Sequence, residues 1–530
     1  MNFRKTPIVF CLFFIFAVFF SCKKEEGPWW DADFSGPVAK TTISIKDLFP
    51  DSINSISQDS SLILKFKETV FDLKIDSLFS IPDTTLDTAY VSPLGGYSFQ
   101  PGDQIFITPA NESYLNISGV NLKQLILKSG KIKLELISSV VEPLIFKYDI
   151  LNSDLYGIPF SITEEVPGSG SITKIYDIGG LNLNLSGIQG NLFNTIITQN
   201  TMTISNNANA GVINFGEGLI IKITFMDIIP FYAKGYLGTQ QYSIGPETIN
   251  SSFLKGIQAD YFSLEDASVN LSITNNLGAD IQANNVLLTS KNSNNNNQVT
   301  LSGTGVYSSY NINRATFQGL SPQPIVPSIK NYTINSTNSN IKSFIENLPD
   351  QLMYSTDILV NPLGNVSGNN DFVLYGYGLK TDLDIEIPFS FAANNLRFRD
   401  TAEIDFTGQE LNNINRADLY LRVNNGYPFS ALVQGYLCDD NFNVVDSLFS
   451  APGYISPATI NTSNVVSNEI LTVLPANFNS DKLEKLKSSK KIIFSVRIST
   501  VAPPQTIKIY DFYKMDLILT ADVNYSVNKK

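Results

Sequence analysis

Residues 267–288 read ASVNLSITNNLGADIQANNVLL, and residues 417–438 read ADLYLRVNNGYPFSALVQGYLC. Each stretch begins with Ala, continues with three alternating apolar residues, turns at Asn275-Asn276 or Asn425-Gly426, and ends in a second apolar strand. Alternation of apolar and polar residues is typical of antiparallel strands that bury one face. Because the copies lie about 150 residues apart, far beyond the period of a short solenoid, they predict repeated sandwich-like β modules.

A looser third copy comes earlier in the chain, where Ile132–Leu136 alternates in the same way and Pro143–Phe146 follows. We interpret the pattern in each copy as a hairpin. It resembles the strand-Asn-Pro/Gly-strand core of LEA-2-type immunoglobulin-like domains over about twenty residues per copy. The resemblance implies an immunoglobulin-like sandwich for each module.

Period-two alternation recurs through the chain, whereas helical periodicity is confined to two segments. These segments are Ser339–Leu348, which Pro349 ends, and Asn479–Lys487, in which Leu483 and Leu486 share one face. We therefore predict a mainly β protein of tandem antiparallel β-sandwich-like modules with one or two short helices. The predicted modules are 41–195, 196–350 and 351–530.

The N-terminus has the pattern of a secretory signal peptide. Arg4 and Lys5 precede an apolar run, and that run is shorter than the roughly 20 residues a membrane-spanning helix needs. Phe19-Phe20-Ser21-Cys22 resembles a bacterial lipobox in which Phe19 replaces the usual Leu. The resemblance implies that residues 1–21 are removed and that acylated Cys22 anchors the chain in outer-membrane lipid.

A short charged cluster follows the lipobox: Lys23, Lys24, Glu25 and Glu26. It resembles the export signal of Bacteroidota surface lipoproteins, which implies that the chain faces the cell exterior. The alternative is a charged tether that holds the fold away from the headgroups. We interpret residues 22–40 as a lipidated tether, whose Trp29 and Trp30 either form a binding platform or, as we favour, dock onto the protein or the membrane interface.

Composition excludes several kinds of chemistry. The 530 residues include no His, so Ser-His-Asp or Cys-His catalysis and His-ligated zinc are excluded. The net charge of −12, which becomes about −14 once Arg4 and Lys5 leave with the signal peptide, argues against nucleic acid as a partner. Cys438 is the one cysteine that neither the signal peptide nor lipid accounts for, so we interpret it as a small buried hydrophobe. We expect no cofactor.

The densest acidic alternation is Thr381–Pro388. A strand would place Asp382, Asp384 and Glu386 on one face, where their oxygens are candidate Ca²⁺ ligands. Same-face residues of a strand lie about 7 Å apart, so further ligands would be needed. We therefore favour a solvated face without metal.

Asp-Ser/Thr triplets resemble the O-glycosylation acceptor pattern of Bacteroidota envelope proteins, and ordinary Asp-Ser/Thr turns are the alternative. Glycosylation would mark exposed loops. The candidate acceptors are Ser52, Ser77, Thr84, Thr88, Thr401 and Ser447.

Three functions follow from the sequence. The leading hypothesis is a surface-exposed outer-membrane lipoprotein that binds or assembles with an envelope protein or a glycan. The second is transport of a lipid or another hydrophobic ligand in an apolar β tunnel. The third is a glycan-active hydrolase, which requires two facing carboxylates. Because no catalytic motif is present, we expect a protein that is not an enzyme.

Overall fold

The computed structural model describes residues 29–44, 54–74, 81–117, 119–250, 258–320, 323–403, 414–501 and 503–528. Strands account for 63% of these residues and helices for 3%, and the sheets are antiparallel. The predicted mainly β fold with two short helices is confirmed.

The elements follow in chain order. Up to Tyr236 they are β1 (Trp29–Ser44), β2 (Asn54–Ile56), β3 (Leu62–Lys74), β4 (Thr84–Val91), β5 (Tyr97–Phe99), β6 (Gln104–Ile107), β7 (Asn111–Tyr114), β8 (Asn121–Ser138), β9 (Leu144–Leu155), β10 (Ile158–Val166), β11 (Ser171–Asp177), β12 (Leu181–Asn184), β13 (Thr195–Ile204), β14 (Gly211–Ile213) and β15 (Gly218–Tyr236). Up to Pro388 they are β16 (Gln240–Asn250), β17 (Tyr261–Leu264), β18 (Ser268–Asn275), β19 (Ile281–Asn292), β20 (Asn297–Thr300), β21 (Ser309–Ile312), β22 (Thr316–Phe317), β23 (Ile325–Val326), β24 (Ser328–Asn335), α1 (Ile341–Glu346), β25 (Gln351–Val360), β26 (Asp371–Leu374) and β27 (Gly378–Pro388). The last are β28 (Ser390–Asn394), β29 (Leu396–Glu403), β30 (Ile414–Asn425), β31 (Phe429–Cys438), β32 (Val444–Ser447), β33 (Gly453–Ile455), β34 (Thr459–Ile460), β35 (Val466–Asn468), β36 (Ile470–Phe478), α2 (Ser480–Ser488), β37 (Lys491–Thr500), β38 (Ile507–Lys508) and β39 (Lys514–Asn528).

One strand order occurs three times, and each occurrence is a module of two sheets. Module I pairs β4-β15-β8-β11 and β6-β13-β9-β10, module II pairs β3-β27-β18-β24 and β16-β25-β19-β20, and module III pairs β1-β39-β30-β36 and β29-β37-β31-β32. In module I the short β12 also bonds to both β8 and β9. The three copies of the sequence pattern are therefore β8-β9, β18-β19 and β30-β31.

The modules are nested rather than separated along the chain. The N-terminal strands β1, β3 and β4 pair with the final strands β39, β27 and β15, so the first strand of the chain completes the last module. The predicted boundaries therefore do not match the sheets. The boundary at 195/196 cuts β13, and the one at 350/351 separates α1 from β25 within module II. Local patterns could not reveal this, because the opening strand of each outer module lies far upstream.

The predicted tether 22–40 is also wrong over its described part, because residues 29–40 belong to β1. This strand pairs with β39 from Trp29 opposite Asn528 to Ser44 opposite Lys514. Pro37 coincides with a register shift on an edge strand, a place where a residue without an N–H donor is tolerated. Gly36 and Pro37 favour a linker in the sequence, but in the structure they lie at a bulge of the edge strand β1.

The two strands of each sequence copy are not a hairpin, which corrects that interpretation. β18 and β19 share no backbone ladder and belong to opposite sheets, as do β30 and β31. The sheets pack face to face: the rings of Phe71 on β3 and Tyr354 on β25 lie 5.9 Å apart, and those of Tyr90 on β4 and Phe106 on β6 lie 4.6 Å apart. The Asn turn is thus a corner at which the chain crosses between sheets.

Each corner begins at one residue, Ser138 in module I, Asn275 in module II and Asn425 in module III. Backbone N–H groups two positions on donate to the side-chain oxygens of these residues, from Val140, Leu277 and Tyr427 at 3.2, 2.9 and 2.9 Å. N–H groups one position on donate to the first carbonyl of the final strand, from Ser139 to Gly218, Asn276 to Gly378 and Gly426 to Lys514. In each corner a third bond runs from a loop N–H to the carbonyl of Val140, Leu277 or Tyr427. Because the three corners share these three bonds, we treat them as equivalent.

Both helices occupy the same place in their modules, between an edge strand of one sheet and the second sheet. α1 follows β24 and α2 follows β36. Asn479 accepts a hydrogen bond from the N–H of Lys482 at 3.0 Å and so caps α2, while Leu483 is buried. The predicted helices are confirmed at both positions.

Candidate functional site

The corner of module III is covered by module II. Tyr427 is buried and packs edge-on to Tyr513 with ring centroids 6.0 Å apart. The loop that holds Tyr513 reaches the start of β3, where the N–H of Leu62 donates to the carbonyl of Ile509 at 3.0 Å. The corner of module III therefore contacts module II at the end that lies away from the module II corner.

The corner of module II is covered in the same sense by module I. β26 pairs with the last residues of β15, where Tyr232 lies opposite Leu374. The N–H of Gly278, in the corner, donates to the carbonyl of Phe372 on β26 at 2.8 Å. A Cβ on Gly278 would lie 2.2 Å from Cδ1 of Phe372, so this close approach needs glycine. The corner of module II is thus covered by β26, which pairs with β15 and so extends the first sheet of module I.

A buried polar network fixes this junction. Asp371 is fully buried and accepts hydrogen bonds from the N–H of Leu237 at 3.0 Å and from Nδ2 of Asn361 at 2.7 Å. Arg314 pairs with Asp280 at 2.6 Å and with Asp371 at 3.5 Å. The Arg314 guanidinium hydrogen-bonds Asp280 and lowers the pKa of that carboxyl below its ordinary value.

The corner of module I carries no module of the described chain. Val140 is buried, but Val141 is 66% exposed, whereas the equivalent Gly278 and Pro428 are both buried. Leu94 and Phe215 are each 76% exposed at the same end, and Tyr97 is 52% exposed. We call this end the tip, formed by the loops at 91–103, 139–143, 167–170 and 204–217.

An apolar cavity of about 420 Å³ opens at the tip between the two sheets of module I. Its wall includes Tyr90, Phe106, Leu144, Met202 and Ile213. This volume and lining are typical of pockets that hold an apolar group of a ligand or partner. The tip is therefore a concave apolar site with further apolar side chains around its mouth.

The charged groups of the tip are all acidic. Its loops contain Asp103, Glu142 and Glu217 and neither Lys nor Arg. Hydrogen bonds from the side chain and backbone of Asn214 lower the pKa of Glu217, so this carboxylate keeps its charge to a lower pH than an ordinary glutamate. An apolar site with a negative rim favours an apolar partner with a positive rim.

The predicted metal candidates lie elsewhere and are neutralised by lysines. Glu386 pairs with Lys65 at 2.7 Å and Asp384 with Lys67 at 3.6 Å, across the β3–β27 ladder. Asp382 is buried, which alone would raise its pKa, but hydrogen bonds from Lys380 and Thr69 outweigh that effect and lower it. Within the described chain, no three acidic or cysteine side chains gather as a metal site.

The residues predicted for lipidation, export and O-glycosylation fall into two groups. Cys22, Lys23, Lys24, Glu25, Glu26, Ser52 and Ser77 lie outside the described residues. Thr84 and Thr88 are on β4, Thr401 on β29 and Ser447 on β32, which are edge strands rather than the loops we expected. Ser447 also donates its hydroxyl to the carbonyl of Phe449 at 2.9 Å. Glycosylation of these residues stays a prediction.

Cys438 is fully buried, and burial raises the pKa of its thiol, as expected for a small core residue. The tip residues Leu94, Tyr97 and Phe215 were missed in the sequence. Their signal was a large apolar residue beside glycine in a turn, as in Pro93-Leu94-Gly95-Gly96 and Asn214-Phe215-Gly216. Exposing several large apolar side chains to water is unfavourable, so such residues gathered at one surface are candidates for an interaction site.

No family model and no curated protein matches this chain. A solved structure of a protein from Parabacteroides distasonis ATCC 8503, described as secreted, is similar at 13% identity and a TM-score of 0.27, covering 55% of this chain and 88% of its own. The infectious bursal disease virus Gt strain gives 9% identity and a TM-score of 0.11, covering 90% of this chain and 85% of its own. TM-scores this low do not establish a shared fold.

The two helices of the described residues are too short to cross a membrane.

Proposed function

We propose that this protein is an outer-membrane lipoprotein, anchored through Cys22 and facing the cell exterior, that docks a partner protein on the tip of module I. The observation that carries the proposal is the uncovered corner. Two of three equivalent corners are each covered by a neighbouring module, and the third exposes apolar side chains in its place. Exposed apolar patches of this kind mark interaction sites.

The position of the anchor supports this arrangement. β1 begins at Trp29 opposite Asn528, at the end of module III that lies away from its corner. The modules contact one another in the order III, II, I, and the tip is at the far end of this stack. Ile126 on β8 lies beside the contact with β26, and Ser138 at the tip is twelve residues further along the same strand. That length is roughly 40 Å at about 3.3 Å per residue. A chain anchored at Cys22 therefore directs its tip away from the membrane.

A protein fits the tip better than a membrane or a second copy. Leu94 lines the cavity, but Phe215 does not, so a small ligand within the cavity would leave Phe215 exposed. An anionic lipid surface would be repelled by Asp103, Glu142 and Glu217, and so would the identical tip of another copy. The partner we infer presents an apolar protrusion bordered by Lys or Arg.

Photo-cross-linking tests this function in the intact envelope. A photoreactive phenylalanine analogue at position 215 should give one protein adduct, and the same analogue at Leu471, a 59% exposed residue of module III, should give none. The adduct should disappear in a Leu94→Asp background and weaken when Glu142 and Glu217 are both changed to Lys. Equal adducts at both positions, or an adduct insensitive to these changes, would contradict the proposal.

Location is tested separately by protease treatment of intact cells. Surface exposure predicts that protease digests the protein without cell lysis. Resistance until lysis would contradict the proposed location, and the docking site would still be tested by the cross-linking experiment. Digestion should also release a chain fragment that lacks the acylated N-terminus.

A hydrophobic small molecule is the second candidate, favoured by the cavity of about 420 Å³. In that case the analogue at position 94, in the cavity wall, would give a lipid adduct, and mass spectrometry of organic extracts of the purified protein would detect the same molecule. Extracts without lipid would count against this alternative.

A further inference from the structure

A second concave site lies on module III, at the other end of the stack from the tip. On the outer face of the second sheet, β29, β37 and β31 run side by side and form the floor of a groove of about 460 Å³. Arg397 lies directly opposite Arg497, and Arg497 lies opposite Leu432. Gln258 and Pro452 form parts of its walls.

The groove carries an unbalanced positive charge. Like charges directly opposite each other on neighbouring strands are destabilising, whereas opposite charges in that position stabilise, as with Lys65 and Glu386 at 2.7 Å. Arg397 pairs with Asp260 at 2.6 Å, but no carboxylate of the described residues pairs with Arg497. In a protein with a net charge of −12, a guanidinium left without a counter-charge in a groove indicates a site for an anion.

The groove is built rigidly around the two arginines. Gln434 is buried on the floor, donates from Nε2 to the carbonyl of Phe449 at 2.9 Å, and accepts from the N–H of Phe449 at 3.1 Å. These bonds fix the loop that leads to Pro452. The backbone N–H of Arg397 donates to the carbonyl of Gln258, which fixes the opposite wall. A preformed groove loses less conformational entropy when a ligand binds.

The remaining side chains fit a sugar ring with a carboxylate. Guanidinium groups recognise planar carboxylates through paired N–H donors. Tyr436 and Leu432 supply apolar surface for the face of a ring, and Ser495 supplies a hydroxyl for a ring hydroxyl. We propose that this groove binds a carboxylated saccharide, with Arg497 holding the carboxylate. The proposal goes beyond partner docking at the tip and does not depend on it.

Calorimetric titration of the full mature chain in detergent with tetragalacturonate tests this inference, because every ring of that probe carries a carboxylate. The fully methyl-esterified tetramer is the neutral control. We expect saturable binding of the acid and at least tenfold weaker binding of the ester, together with a marked loss of affinity at high salt. Absence of binding, or equal binding of the two probes, would overturn the proposal.

Variants locate the binding. Arg497→Ala should weaken binding at least tenfold and Arg497→Lys less, because Lys keeps the charge but loses the paired donors. Arg422→Ala, at an exposed position on the other sheet of module III, should leave the affinity unchanged. Asp260→Asn should tighten binding several-fold, because it frees Arg397 from its internal partner. Binding of a poly-Glu peptide but not of tetragalacturonate would show an acidic-peptide site and overturn the saccharide assignment.

Discussion

The corners of modules I and II have the same backbone bonds but opposite surroundings. In module II, Gly278 and the residues beside it lie under β26 and Phe372, while in module I the equivalent Val141 is exposed. The difference teaches that the exposed apolar side chains of the tip do not result from the way the corner folds. They lie where this chain elsewhere places another protein module, which is why we interpret the tip as an interface.

The largest contrast should come from truncating one aromatic at each corner. Phe372 is buried and lies 5.3 Å from the ring of Phe317, so Phe372→Ala should cost about 3–5 kcal/mol at the junction of modules I and II. Phe215→Ala should cost less than about 0.5 kcal/mol, because that ring is mostly exposed in the isolated chain. Hydrogen exchange of β26 and β15 amides measures the local opening free energy of the junction. Comparable losses from both substitutions would break the comparison.

The next largest effect concerns the buried carboxylate at the covered corner. Asp371→Ala would leave the N–H of Leu237 and the amide of Asn361 without their acceptor and remove one partner of Arg314, at a cost of about 3 kcal/mol. Asp103→Ala at the tip removes only an exposed acceptor for the N–H of Gln100 and should cost about 1 kcal/mol or less. Urea unfolding followed by circular dichroism compares the two variants. A tip variant as destabilised as Asp371→Ala would contradict the assignment of Asp371 to a rigid junction.

The corner residues themselves should differ more modestly. Asn275 accepts from Leu277 and donates to the carbonyls of Ala279 and Asn313, both at 2.9 Å, so Asn275→Ala should cost about 2–3 kcal/mol. Ser138 makes fewer bonds, and Ser138→Ala should cost about 1 kcal/mol. Exchange protection at Leu277 and Val140 reports each corner separately. If the two variants lose equal protection, the covered corner is not the more strongly fixed one.

The smallest expected effect is a pH dependence confined to the covered corner. Because the Arg314 guanidinium lowers the folded-state pKa of Asp280, this pair contributes stability that is complete above about pH 4, the unfolded value. That contribution is lost as the pH falls through the folded-state pKa. Exchange measured from pH 7 to pH 3 should show β26 opening more readily in acid, and Asp280→Asn should remove that dependence. An unchanged dependence in Asp280→Asn would assign it to another group.

Much of the fold could be predicted because its signals are local. Alternation identified the strands, the Asn275 and Asn425 positions identified equivalent turns, and Ser339–Leu348 and Asn479–Lys487 identified the two helices. The nesting could not be predicted, because β1 carries no local feature that assigns it to β39 rather than to a neighbouring strand. The same limit turned a corner between sheets into an expected hairpin.

The functional surfaces were harder to predict, since they depend on which segments meet in space. The acids of β27 looked like candidate metal ligands because Lys65 and Lys67, their partners, lie more than 300 residues away on β3. Leu94 and Phe215 lie in separate loops, and their shared exposure follows only from the stacking of the modules. Arg397 and Arg497 meet across strands that are 100 residues apart.

Cysteine labelling in intact cells tests the central claim most directly. Cys438 is buried and Cys22 is expected to be acylated, so Leu94→Cys and Leu471→Cys would each supply one reactive thiol for a membrane-impermeant maleimide. Both positions should label equally in the purified chain. In intact cells we predict that position 471 still labels while position 94 is protected by the partner. Equal labelling of both positions in cells would contradict a partner docked on the tip.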